Sequence, residues 1–320
     1  MIPIKVEKSE PQPYKVIEWL IHNVCNNDCS FCGSEFKDGS QRWLSLDEYK
    51  KILDRLVEAA GTDPLWIQIT GGEPTLFPEL IELLEYIKSK NAYTSLISNG
   101  SRTIRWWEEL KQKKVLDHLY VSYHSEQTTN YKHVTDVINL FHDEPTDVVC
   151  LVTHVETSID LAFEAVEYIK ENTGCIVIFK AIMIQHYNIF EKYSPEQLKT
   201  LKSVNTVISN LGKTKKSSNV PKEHQIRHNL TVTYDNGIQL KMDPQKILKD
   251  RHNIYTGWLC DFGRQFMRIE GTNSYRGVCK VSGATSIFSD NFGFTDDFIP
   301  CTSNQCVCST DLVSTKIRAK

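Results

Sequence analysis

Between residues 16 and 184, short apolar runs alternate with stretches of helical periodicity, and this alternation limits the open folds most. Strands are predicted at Val16–His22, Leu65–Thr70, Tyr93–Ser98, Leu119–Tyr123, Val148–Thr153 and Ile176–Ile184. Helices are predicted at Ser45–Ala60, Pro78–Lys90, Thr103–Lys113, Thr128–Phe141 and Ser158–Asn172, with a sixth at Ser194–Asn205. In the first helix Leu46, Tyr49, Ile52, Leu53 and Leu56 keep helical spacing behind Ser45 as N-cap. Strands alternating with helices of this length imply parallel βαβ crossovers. Six units suit an open, barrel-like parallel sheet or a doubly wound one, and in both ligands gather beyond the carboxyl ends of the strands.

The pattern breaks at about 206–228, where Lys213, Lys215, Lys216, Lys222 and Arg227 oppose only Glu223 and no periodic face forms. This stretch reads as a basic linker or surface loop. Beyond it, Leu230–Tyr234 and Ile238–Met242 flank Asp235-Asn236-Gly237, a strong hairpin signal. A second hairpin is predicted from Phe266–Glu270 and Tyr275–Val278 around Gly271-Thr272-Asn273. The organisation is a core over 14–205, the linker, and a cysteine-rich domain over 229–320. The 320 residues carry a net charge of −3, so no global basic field points to nucleic acid. No apolar run is long enough for a membrane span. The segment Met1–Pro13 reads as polar and Pro-broken, without a signal-peptide core, which leads us to expect a cytoplasmic protein.

Ten cysteines stand out by placement. Cys25, Cys29 and Cys32 follow the first strand; Cys260, Cys279, Cys301, Cys306 and Cys308 lie near the far end; Cys150 and Cys175 fall between. Clusters at opposite ends of a long chain favour metal or iron–sulfur ligation over disulfides. Three thiolates within eight residues suit a metal centre with one open position. With His22 or a distant cysteine as fourth ligand, zinc fits as well.

Cys25-x3-Cys29-x2-Cys32, with Phe31 before the last cysteine, resembles the signature of the radical S-adenosylmethionine superfamily. The resemblance implies that these cysteines hold a [4Fe–4S] cluster whose fourth iron binds the amino and carboxylate groups of the cofactor's methionine part, with Phe31 near the adenine. It extends over about 16–184. Thr70-Gly71-Gly72-Glu73-Pro74 is similar to the family's GGE-type motif, where glycines allow close approach and Glu73 with exposed backbone receives the methionine ammonium. Ser98 and Asn99 end the third strand, and Ser122 and His124 the fourth, at the family's usual cofactor-contact positions. Taken singly, each of these polar residues equally fits a capping or turn role. Thr153-His154-Val155-Glu156 stands where some members carry a Gly-rich motif. The implied fold is α/β: a partial (β/α)6 TIM-like barrel with a small C-terminal α+β iron–sulfur domain.

Cys260 and Cys279 bracket the second predicted hairpin in the manner of twitch or SPASM extensions of that family, although Cys301-x4-Cys306-x-Cys308 departs from the full SPASM spacing. The resemblance implies an auxiliary [4Fe–4S] cluster on four of Cys260, Cys279, Cys301, Cys306 and Cys308; the chemistry alone equally allows one zinc. Cys150 and Cys175 read as core thiols. If its strand parity faces the barrel interior, Cys150 also becomes a hydrogen-atom donor to a substrate radical. The implied activity is reductive cleavage of S-adenosylmethionine to a 5′-deoxyadenosyl radical that abstracts substrate hydrogen. The electron comes from a donor such as flavodoxin or ferredoxin. A small-molecule substrate is the first expectation. A ribosomally made peptide is the second, weakened by the roughly fifteen residues before the first strand, too few for a leader-binding domain. A zinc-binding interaction protein is the third.

Overall fold

The computed structural model describes residues 1–9, 13–128, 130–154, 156–181, 194–197, 199, 230–242, 247, 252–277, 279–280, 283–306, 309–312 and 314–319. The chain forms two compact units, one of Met1–Trp19, Asp47–Ile67 and Pro221–Lys320, the other of Leu20–Leu46 and Gln68–Val220.

The second unit carries the barrel sheet. It takes in the carboxyl ends of β2 (Lys15–Leu20) and β3 (Leu65–Thr70), then continues in order through β4 (Tyr93–Ser98), β5 (His118–His124), β6 (Asp147–His154) and β7 (Ile176–Ala181). The β4–β5, β5–β6 and β6–β7 pairs are parallel, as the alternating pattern requires. The connecting helices of this unit are α2 (Leu80–Ser89), α3 (Ile104–Lys113), α4 (Tyr131–Leu140) and α5 (Ile159–Asn172), while α1 (Leu46–Ala60), which follows β2 in the chain, falls in the first unit apart from Leu46. Sequential strands with a helix after each of the first five make the partial (β/α) barrel. Of the sixth predicted helix, Pro195–Gln197 are helical, and Ser194 and Gln197 cap each other reciprocally at 2.8 and 3.1 Å. Its remainder, apart from Lys199, lies outside the described residues, as do the 206–228 linker, Val155 and Cys308.

The two faces of this sheet differ. Leu119, Val121 and Tyr123 of β5 are fully buried, and the Tyr123 ring meets that of Tyr131 of α4 edge-on, with centroids 6.3 Å apart. That parity faces the helix layer. His118, Tyr120, Ser122 and His124 alternate onto the other, inner face.

In the first unit, β1 (Pro3–Lys8) is a strand where a Pro-broken segment was expected. Ile4 and Val6 alternate with Lys5 and Glu7, and Val6 buries into the core. A six-stranded sheet runs in the order β14 (Ile299–Pro300), β10 (Leu259–Cys260), β15 (Lys316–Ile317), β1, β8 (Leu230–Tyr234) and β9 (Gln239–Met242). The β8–β9 hairpin forms as read, with Gly237 at φ +83° in its turn. The other hairpin, β11 (Phe266–Glu270) with β12 (Asn273–Tyr275), is tighter than predicted. Glu270 pairs with Asn273, so the turn is Gly271-Thr272 alone. Strand β13 (Thr285–Ser286) extends it, and a short helix α6 (Ser309–Leu312) precedes β15. No helix among the described residues is long and apolar enough to cross a membrane.

Candidate metal centre

The loop holding Cys25, Cys29 and Cys32 begins where β2 ends. Its base is closed by Asn23, whose Nδ2 donates to the Glu35 carbonyl, Asp38 Oδ1 and Ser40 Oγ at 2.7–3.0 Å, and by a Val24–Asp38 bridge. The Gly71-Gly72-Glu73 segment lies against the same stretch. Gly72 N–H donates to the His22 carbonyl and Glu73 N–H to the Val24 carbonyl, both at 2.8 Å. A Cβ on Gly71 would stand 2.2 Å from His22 O, and one on Gly72 2.2 Å from Val24 O. Both glycines are therefore required by protein backbone, the segment leading into the cysteine loop.

Glu73 is 1% exposed. Its Oε1 accepts from Thr75 N (3.1 Å), Thr75 Oγ1 (2.6 Å) and Ser98 Oγ (2.8 Å), and its Oε2 from Asn99 N (2.7 Å). Burial pushes its pKa up, and these donors hold it down. Four bonds match the acceptor capacity of a carboxylate. Glu73 thus ties the end of β3 to the end of β4. The tie continues into the cysteine loop: Asn99 Nδ2 donates to Asn26 Oδ1 (2.9 Å), and Asn26 Nδ2 to Ser101 Oγ (2.8 Å).

The other side of the loop is held from the end of β5. Asp28 and Gln127 exchange two hydrogen bonds, at 2.9 and 3.1 Å, and Ser30 N–H donates to the Glu126 carboxylate at 3.0 Å. Lys37 donates to the Cys29 carbonyl at 2.7 Å and pairs with Asp28. Asn26, Lys37, Ser101, Glu126 and Gln127 were missed by sequence reasoning. Their signal was positional, since each sits within three residues of a strand end or inside the loop.

Burial raises the pKa of all three thiols, that of Cys29 to about 12, while the Lys37 cation opposes the rise. Cys25 acts electrostatically on Cys29 and Cys32, and Cys32 on Cys29. Among the described residues, no three His, Cys, Asp or Glu side chains stand close enough to share one metal ion. A cuboidal cluster asks less, because each thiolate binds a different iron. Three neighbouring, largely buried thiols with a cation beside them fit such a group, and iron would displace their protons on binding.

Phe31 packs its ring 5.5 Å from that of His124. Together with Ser122, His124 lies on the inner face of the sheet. Cys150 does not. Its register partners are Val121 and Val177, so it shares the helix-facing parity and is fully buried. This register favours the reading of Cys150 as a core thiol over the conditional one of a hydrogen donor. His22, weighed as a fourth ligand, is buried with Nδ1 accepting from Val24 N–H at 3.1 Å, and burial lowers its pKa to about 4.

In the first unit, Cys301 and Cys306 share a buried core with Val6, Tyr255 and Leu312, and both are fixed by backbone bonds, to Trp258 (2.7 Å) and Asn253 (2.8 Å). Cys260 acts electrostatically on Cys306, and burial raises both thiols to about 12. Cys279 is exposed; its N–H donates to Asp311 Oδ2 at 2.8 Å. The structure brings Cys260, Cys301 and Cys306 into one neighbourhood, with Cys279 joined to it through α6.

The sequence matches the model of the Radical SAM superfamily over residues 19–191, more than half of the chain. A "Probable GTP 3',8-cyclase" of Thermococcus kodakarensis is 35% identical over 118 residues, 36% of this chain and 37% of that protein. A "PqqA peptide cyclase" of Bradyrhizobium diazoefficiens is 33% identical over 89 residues, 28% of this chain and 22% of that protein. The chain thus spans about a third or less of these two curated relatives. Among solved structures, Streptococcus suis SuiB bound to S-adenosylmethionine is similar in fold, with a TM-score of 0.53 at 14% identity over 87% of this chain and 64% of that one.

Proposed function

This chain belongs to the radical SAM superfamily, and from that premise we propose that it oxidises or rearranges a small molecule, holding the cofactor-binding [4Fe–4S] cluster on Cys25, Cys29 and Cys32 and a second cluster on four of its five carboxyl-terminal cysteines. When bound, the cluster and S-adenosylmethionine supply a 5′-deoxyadenosyl radical able to take hydrogen from an unactivated carbon. The chain's own part is positioning. The observation that carries the reading is the cysteine loop, anchored by the ends of β3, β4 and β5 at once. On this reading Phe31, packed against His124, lines with Ser122 and His124 the space the cofactor takes beside the cysteine loop. Gly71, Gly72, Glu73 and Pro74 shape its floor, and Ser98 and Asn99 link that floor to the loop. The partial barrel shields reacting groups from water. A one-electron donor of the flavodoxin or ferredoxin kind is required. The second cluster gives an electron acceptor suited to a net two-electron oxidation. The small-molecule reading is supported by the likeness to a nucleotide cyclase.

Iron counting and product analysis test it. Anaerobically reconstituted Cys25→Ala/Cys29→Ala/Cys32→Ala protein is expected to hold about four fewer irons and to form no 5′-deoxyadenosine. Unchanged iron or persisting cleavage overturns the assignment. A second reading, modification of a peptide, is favoured by the likeness to a peptide cyclase. Mass change in a peptide, rather than in a nucleotide or other small molecule, after anaerobic turnover selects it.

A further inference from the structure

Lys316 lies in an apolar core at 1% exposure. Its Nζ donates to the carbonyls of Asp311 (2.5 Å), Leu312 (3.2 Å) and Ser314 (3.0 Å). Three acceptors take three N–H groups, so the side chain is an ammonium. It also stands 5.1 Å from the ring centroid of Tyr255. Capping α6 accounts for the carbonyls, but not for where the lysine comes from. Lys316 is the direct cross-strand partner of Cys260 in the β10–β15 pair and of Val6 in the β1–β15 pair. Cross-strand partners project on one side of a sheet. Val6 belongs to the same core as Cys301, Cys306 and Tyr255. The ammonium is thus inserted among the cysteines from the sheet. A buried cation is costly unless an opposite charge faces it. Asp311 and Asp261 are nearby and keep their charge while accepting from the backbone N–H of Cys279 and of Thr315, and the buried thiols of Cys306 and Cys260 face the same ammonium. Lys8 is the other cation facing Asp261. A thiolate-ligated cluster carries net negative charge at this position.

We propose that Lys316 is the built-in counter-charge of a second iron–sulfur cluster at Cys260, Cys301 and Cys306, and that it raises that cluster's reduction potential. The inference rests on the second-cluster reading above. A fixed positive charge beside a cluster favours the form with one more electron, since net charge and burial are among the levers on its potential.

The experiment uses the full chain with Cys25, Cys29 and Cys32 changed to Ala, so that only the second site can hold iron. Absence of iron in this background overturns the second-cluster reading itself. With about four irons present, Lys316→Met and Lys316→Arg are compared by potentiometric titration followed by electron paramagnetic resonance. The Met variant is expected to shift the ratio of reduced to oxidised cluster at least tenfold toward oxidised at a fixed potential, about 59 mV for one electron. The Arg variant, keeping the charge, is expected to stay near the parent. An unchanged potential in an iron-loaded Met variant assigns Lys316 to helix capping and overturns the proposal. If the Met variant loses iron, the Arg variant decides. Iron and potential retained in Arg support the counter-charge, whereas iron lost from both overturns it in favour of a folding role.

Discussion

Glu73 shows how one side chain holds two strand ends together. Replacing a carboxylate that accepts from Thr75, Ser98 and Asn99 with an amide sets an NH2 group against one of those donors. Glu73→Gln is therefore expected to destabilise the protein by about 1–3 kcal/mol, measured by denaturant titration. Two buried histidines make the stability depend on pH. Burial lowers the pKa of both His22 and His118 to about 4. Between pH 6.5 and about 4 the unfolded chain takes up protons that the folded one refuses. The stability these residues contribute is present above 6.5 and lost as pH falls toward 4. The loss expected at pH 4.5 is roughly 2–3 kcal/mol for each. Thermal melts from pH 7 to 4.5 should show a steeper fall in the parent than in a His22→Gln/His118→Gln variant. Cys150, buried on the helix side, is expected on change to Ala to cost stability but to leave the uptake of solvent-derived hydrogen into the product unchanged.

Among elements, the decisive one is the cysteine loop with the strand ends around it. A branched side chain at position 72 meets the Val24 carbonyl, whose oxygen is 2.2 Å from the Cβ position. Backbone cannot move aside as a flexible side chain can. Gly72→Val is accordingly expected to cost at least about 2 kcal/mol and to lower iron retention at Cys25, Cys29 and Cys32, not cofactor affinity alone. Weak S-adenosylmethionine binding with a full first cluster would place the ligand, and not the loop, against Gly72. A milder probe is the Glu126→Ala/Gln127→Ala pair, which removes the anchors of Ser30 and Asp28. The fold should survive, by circular dichroism, while the first cluster is lost faster to a chelator.

For the molecule as a whole, the first residues prove to be part of the cysteine-rich unit. Strand β1 lies between β15 and β8 in the six-stranded sheet. Removing residues 1–9 opens that sheet at its middle and takes Val6 from the core around Cys301 and Cys306. The truncated chain is expected to lose iron from the second site. Undiminished iron there, in the background without Cys25, Cys29 and Cys32, would show β1 to be dispensable.

What the sequence determined by itself was whatever depends on neighbours along the chain. The strand bounds Leu65–Thr70 and Tyr93–Ser98 were legible to the residue, because apolar runs and helical spacing are local signals. The Asn-Gly hairpin was legible to within a residue, and the three-cysteine loop was placed after the strand that proved to be β2. Tertiary structure decided what depends on partners far apart in sequence. Only the register of β5, β6 and β7 turned Cys150 toward the helices, since strand parity does not reveal which face a helix covers. Only the approach of His22–Val24 explained Gly71 and Gly72. Only the pairing of residues more than 300 apart gave β1 its partner in β15, and only the fold set a lysine opposite Cys260. A side chain's chemistry is written at its own position, but its charge state and its role follow from what long-range packing places against it.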